Sequence, residues 1–207
     1  IHIQQEDMEI LERYNEYPFT VAIFQKLHER MHIMFSNEDI LFLATQIMCS
    51  KFMGIDQPKE TWKMIQMYDL KLLNFVDEML KTIGKVLEKE LCDDIKLKES
   101  LVFHLRSTIF RLRYGSPQNN SLVSFIKSEY KKVFRATWSV SILFEKYYDV
   151  QITEDEIGFI TLYIQSALER HTQRYRAILI EDFTRGHAQL ICERISRTIP
   201  EIKEIQI

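Results

Sequence analysis

The segment Glu38-Asp39-Ile40-Leu41-Phe42-Leu43-Ala44-Thr45-Gln46-Ile47 recurs without a gap as Asp155-Glu156-Ile157-Gly158-Phe159-Ile160-Thr161-Leu162-Tyr163-Ile164, at an offset of 163 − 46 = 117 positions. The same offset sets Ser36 opposite Thr153, and each hydroxyl is followed three residues later by a carboxylate, Asp39 or Glu156. That is the capping-box pattern that opens a helix, so each copy is expected to be a capped helix with an acidic first turn. Stacked repeat arrays need more units than the two visible here, which makes duplicated domains the better reading.

A chain of 207 residues with 46% apolar and 12% aromatic side chains can bury a sizeable core, as one large domain or two small ones. Only 5 Gly and 4 Pro occur, too few for many short strands and turns, so long helices joined by short loops are expected. The formal net charge of −3 leaves the chain as a whole without the basic footprint of a nucleic-acid binder. Cys49, Cys92 and Cys192 stand singly, which argues against a disulfide framework or a zinc ribbon and points to the reducing cytoplasm. No signal peptide and no apolar run of membrane-spanning length is present. A chain opening on Ile1 without an initiator Met is expected to be a piece of a longer protein.

Apolar spacing from Met8 to Arg30 fits two helices broken near Pro18, and Ser36 should cap a third running to about Phe52, with Gly54 and Pro58 marking a break. One long helix is expected from Trp62 to Leu91 and another from Leu97 to Leu112. Leu122–Tyr130, Val133–Tyr148 and Thr153–Arg170 read as further helices. Beyond Arg176 the texture changes. Ala177–Ile180 suits a buried strand, His187–Thr198 a helix, and the segment ending at Ile207 a second strand, the order of a βαβ unit.

Six histidines occur, and no metal-ligand cluster is formed by them; His28 and His32 lie four apart without a nearby Cys, Asp or Glu to complete a site. His104 shares a helical stripe with Leu97, Leu101, Thr108 and Arg111. It reads either as a boundary histidine at the rim of a core or as a phosphoacceptor, because an imidazole is a competent nucleophile at neutral pH and an arginine in reach would neutralise phosphate.

The string Leu101-Val102-Phe103-His104-Leu105, followed by Ile109, Arg111, Gly115 and Asn120-Ser121-Leu122, resembles the first signature of the PTS regulation domain (PRD), and the two repeated strings resemble its second. These domains occur in transcriptional activators and antiterminators controlled by the sugar phosphotransferase system. The resemblance implies a mainly α fold of tandem helical bundles: residues 1–54 as the C-terminal half of a first PRD and 55–174 as a complete second one. It implies phosphorylation at His104 with support from Arg111, with the histidine phosphocarrier protein and sugar-specific PTS components as partners. The second family histidine falls on Tyr163 in the complete domain and on Gln46 in the partial one, and neither a phenol nor a carboxamide can take its place.

Residues 175–207 resemble the start of a phosphotransferase IIB-like domain, which makes the tail a short α/β (βαβ) segment. Where functional IIB units carry a phosphorylated cysteine this chain has Glu181, and the following loop to Gly186 has lost most of its small residues. Either a fixed carboxylate mimics phosphate there or the function has been lost, and the second reading is the simpler.

The expectation is therefore a cytoplasmic regulatory module and not an enzyme, requiring no cofactor, pairing as a homodimer, touching DNA only through segments outside this chain and making no contact with a membrane. A non-phosphorylated dimerisation scaffold of a virulence-type or other regulator is the alternative. A phosphotransfer enzyme component is a third reading, against which Glu181 stands.

Overall fold

Each of the two expected caps sits at the start of a helix. In the computed structural model, which describes residues 3–50, 59–115, 118–171, 175–178, 185–199 and 202–206, Ser36 accepts from the Asp39 backbone N–H at 3.2 Å while the Asp39 carboxylate accepts from the Ser36 N–H at 2.8 Å. Thr153 Oγ1 accepts from the Glu156 N–H at 3.3 Å. The described residues are mainly helical and fall into two compact units, Ile1–Gln165 and Ser166–Ile207.

The first unit begins with α1 (Gln5–Leu11), α2 (Glu16–Met31) and α3 (Asn37–Cys49). Two helices precede Ser36, as the spacing requires, but the break lies ahead of Glu16 and Pro18 sits in the first turn of α2. There its missing N–H has no intrahelical partner to lose. Residues 51–58, which carry the expected domain boundary at 54/55 and the break at Gly54 and Pro58, lie outside the described residues.

The long helix expected from Trp62 to Leu91 is two, α4 (Lys59–Tyr68) and α5 (Leu70–Leu87). Asp69 divides them: its carboxylate caps α5 by accepting from the Leu72 N–H at 3.0 Å, and it also accepts from the Tyr14 hydroxyl at 2.6 Å. A periodic apolar pattern does not register a side chain that turns back on its own backbone. Beyond α5, Glu88 is left-handed at φ 55° and the Lys89 N–H reaches the Gly84 carbonyl at 3.0 Å. A Cβ on Gly84 would stand 2.6 Å from the Lys89 carbonyl oxygen, so the chain can fold back this closely only over glycine.

α6 (Ile95–Tyr114) is capped by Asp94, which accepts from the Leu97 N–H at 2.9 Å. It is followed by α7 (Val123–Glu129), α8 (Lys131–Trp138), α9 (Ser141–Tyr148) and α10 (Glu154–His171). The single helix expected over Val133–Tyr148 is divided at a turn in which the Ser139 hydroxyl donates to the Ala136 carbonyl at 2.6 Å. The core centres on α5, whose Leu72, Phe75, Val76, Met79, Leu80 and Ile83 are all closed to solvent, with Phe144 edge-on to Phe75 at 4.9 Å between centroids. Each such side chain contributes about 1.5–3 kcal/mol by leaving water. α5 packs against α4, α6, α8 and α9, and α3 packs against α2 and α6; α6 also reaches the second copy of the repeat through the Arg111–Glu156 pair.

The second unit contains β1 (Tyr175–Ile178), α11 (Arg185–Thr198) and β2 (Ile202–Gln206). β1 and β2 pair in parallel, Ala177 facing Ile205. Glu181 and its loop to Thr184 lie outside the described residues.

Candidate functional site

His104, Thr108 and Arg111 occupy successive turns of one face of α6, and the side chain they converge on is Glu156, in the first turn of α10. Glu156 Oε1 accepts from Arg111 Nη2 at 2.7 Å and Nε at 3.1 Å. Oε2 accepts from the Thr108 hydroxyl at 3.3 Å and lies 3.5 Å from His104 Nε2. Arg111 Nη2 also donates to Thr108 Oγ1 at 2.9 Å. The side chains of Glu156, Arg111 and His104 are 0%, 6% and 6% exposed, so this is a buried polar cluster.

A carboxylate taken out of water must be compensated, and both of its oxygens are. Burial on its own pushes the Glu156 carboxyl up, but the hydrogen bond from His104 and the charge of Arg111 outweigh it and hold the group below its ordinary value. Its backbone N–H is bonded to Thr153 while its carboxylate turns to Arg111; in the other copy the Asp39 carboxylate returns to its own cap. The two copies thus share a helix start and spend the acid at the third position differently.

Arg111, expected to support an incoming phosphate, is held by Glu156 and sends its remaining nitrogen Nη1 to the carbonyl of Cys49 at 3.3 Å, at the end of α3. It is one of three arginines by which α6 grips the first helices: Arg106 binds Glu16 at 2.7 Å and Arg113 binds Asp7 at 2.5 Å. The His104 side chain is itself largely enclosed, at 6% exposure. Around it stand Thr108, Glu156 and the rings of Tyr163 and Phe159, with centroids 5.2 and 6.0 Å away. Tyr163 is brought beside His104, and burial raises its phenol further above the ordinary value. Gln46 lies half-buried on α3, its carbonyl accepting from the Ser50 N–H. His28 Nδ1 meets the Ile33 carbonyl at 2.9 Å beside the left-handed His32, which gives that pair a place in the end of α2.

The two motif strings meet at a second point. Asn120 donates to the Asp155 carbonyl at 3.2 Å and accepts from the Leu122 N–H at 3.0 Å, and a Cβ on Gly158 would come within 2.8 Å of Asn120 Nδ2. Sequence reasoning placed Glu156 only as an acid opening a helix, and its partnership with Arg111 has no signal in spacing. The carbonyl of Cys49 had none either, since any residue supplies one.

Residues 77–167 match the PRD domain family. The chain is 26% identical over 193 residues to the "Probable licABCH operon regulator" of Bacillus subtilis (strain 168), covering 91% of this chain and 30% of that protein. It is 24% identical over 206 residues to the "Transcriptional regulator ManR" of the same organism, covering 98% and 31%. Similarity to the "Capsule synthesis positive regulator AcpB" of Bacillus anthracis is 24% over 186 residues, covering 86% and 38%. The chain therefore spans about a third of the length of these relatives. No solved structure matches it.

Proposed function

We propose that this chain, whose residues 77–167 match the PRD domain family and which is similar to transcriptional regulators, is the regulatory phosphoacceptor module of a bacterial sugar-responsive regulator, with His104 as acceptor. The observation that carries this is the placement of His104 Nε2 beside a hydroxyl and a charged carboxylate–guanidinium pair, 3.4 Å from Thr108 Oγ1 and 3.5 Å from Glu156 Oε2. Packing alone would be served by an apolar residue. The donor is the phosphorylated histidine phosphocarrier protein or a sugar-specific component of the phosphotransferase system. In the transfer, one imidazole nitrogen uses its lone pair to form the new N–P bond while the ring proton stays on the other nitrogen. The donor's bond to phosphorus breaks, and its electron pair remains on the donor. The added charge of nearly −2 then shifts the packing of neighbouring regulation domains or subunits.

In this reading residues 1–54 are the back half of a first PRD, 55–174 a complete second one and 175–207 the start of a IIB-like domain; the parallel β1–α11–β2 arrangement supports the last. The module acts in the cytoplasm as a homodimer and as a sensor without catalytic activity, and DNA is bound by segments elsewhere in the regulator. No described helix is long and apolar enough to cross a membrane.

A static dimerisation scaffold is the second reading. It is favoured by the 6% exposure of the imidazole and by the Tyr163 and Gln46 substitutions at the other histidine positions. Incubation with phosphocarrier protein, its phosphorylating enzyme and phosphoenolpyruvate, followed by mapping of acid-labile phosphate, separates the two. Phosphate on His104 supports the sensor, and an unlabelled chain supports the scaffold.

A further inference from the structure

Arg111 joins the His104 cluster to the first repeat. Its Nε and Nη2 are held by Glu156, and its Nη1 caps the Cys49 carbonyl, one of the last carbonyls of α3 that the helix itself leaves without a partner. The guanidinium is a rigid planar fork, so its three nitrogens move together. A group that draws Nε and Nη2 away from Glu156 must also draw Nη1 away from α3.

We infer that Glu156 is a further positioning residue of this site: it holds Arg111 against α3 while His104 is bare and yields Arg111 when His104 carries phosphate. The inference rests on the phosphoacceptor reading given above. A phosphoryl group on His104 would stand beside a carboxylate that is closed to solvent and whose Oε2 is 3.5 Å from the imidazole nitrogen. Two adjacent anions in that setting repel strongly, and of the two the phosphoryl group has more charge and more acceptor oxygens. Arg111 binds it as a fork and Thr108 turns its hydroxyl towards it. Glu156, deprived of its cation, leaves the cluster, and the Cys49 carbonyl loses its cap. Phosphorylation on α6 is thereby read out at the end of α3, in the other copy of the repeat. The pairs Arg106–Glu16 and Arg113–Asp7, which also tie α6 to the first helices, remain in place and confine the change to one contact.

The test is amide hydrogen exchange over Thr45–Ser50, measured on the bare and phosphorylated chain and on the Glu156→Gln chain in both states, with the extent of label on His104 determined in every sample. Phosphorylation should speed exchange of the Ser50 amide, which closes the last turn of α3, by about tenfold, the worth of one hydrogen bond from a charged group. Exchange across α5 should stay unchanged. Bare Glu156→Gln should already exchange fast, and phosphate should add little to it, because both changes release the same arginine. Labelled wild-type chain with unaltered exchange at Thr45–Ser50, or fully additive effects of phosphate and Glu156→Gln, would overturn this inference and leave the phosphoacceptor reading intact. A chain that takes no label on His104 would overturn that reading and this inference with it.

Discussion

Glu156 Oε1 and Arg111 Nη2 stand 2.7 Å apart in a pair closed to solvent on the carboxylate side, and joining them brings the N-terminal turn of α10 onto the C-terminal half of α6. Removing one member of such a pair leaves the other charged and uncompensated. Arg111→Met should therefore destabilise the chain by about 3–5 kcal/mol in urea unfolding. Adding Glu156→Leu should restore part of that loss, since the orphaned carboxylate goes with it. A double variant whose cost equals the sum of the single ones would show the two residues to be uncoupled.

Stability should fall on the acid side, and Glu156 sets part of the slope. Its carboxyl is held below the ordinary 4.5 in the folded chain, so as the pH drops the unfolded chain takes up the proton first. The contribution is whole above the unfolded value and is lost as the pH falls through the folded one. Asp69 works in the opposite sense: burial raises its carboxyl, and the stability linked to it is present at low pH and lost as the pH rises through the folded value. Urea midpoints collected between neutral pH and about pH 4 should decline less steeply in Glu156→Gln than in wild type. An unchanged slope would assign the acid sensitivity to other carboxylates.

Gly158 permits the close approach of α10 to the segment before α7, where a Cβ would meet Asn120 Nδ2 at 2.8 Å and Val123 Cγ2 at 3.4 Å. Gly158→Ala should cost about 1–3 kcal/mol despite the better helix propensity of alanine, because Asn120 must leave the Asp155 carbonyl. Thermal unfolding monitored by circular dichroism would reveal it; a stabilised variant would mean that Asn120 shifts at no cost.

The repeat, its caps and the helical character of the described residues between 5 and 171 were legible because they depend on local pattern: a hydroxyl three residues before an acid, apolar residues at helical spacing. The division at Asp69 was not, because a single side chain accepting from the Leu72 N–H ends one helix and begins another within an unbroken apolar run. His104, Thr108 and Arg111 were visible as one stripe of α6. What faces that stripe was hidden, since Glu156 comes from a helix far along the chain and reads in sequence only as an acid favourable to a helix N-terminus. Arg111 shows the consequence. It reads in sequence as a support for phosphate on His104, but the anion it binds in the folded chain is a carboxylate of the protein itself.

His104 is proposed to accept phosphate and Tyr163, its neighbour at 5.2 Å, is not. The direct measurement is phosphate incorporation from phosphoenolpyruvate through the phosphocarrier protein, compared among wild type, His104→Ala and Tyr163→Phe under identical conditions. Wild type and Tyr163→Phe should label equally and His104→Ala should not label. Label retained in His104→Ala, or no label in a folded wild-type chain, would contradict the account and leave the buried cluster of His104, Glu156 and Arg111 as a structural element of a dimerisation scaffold.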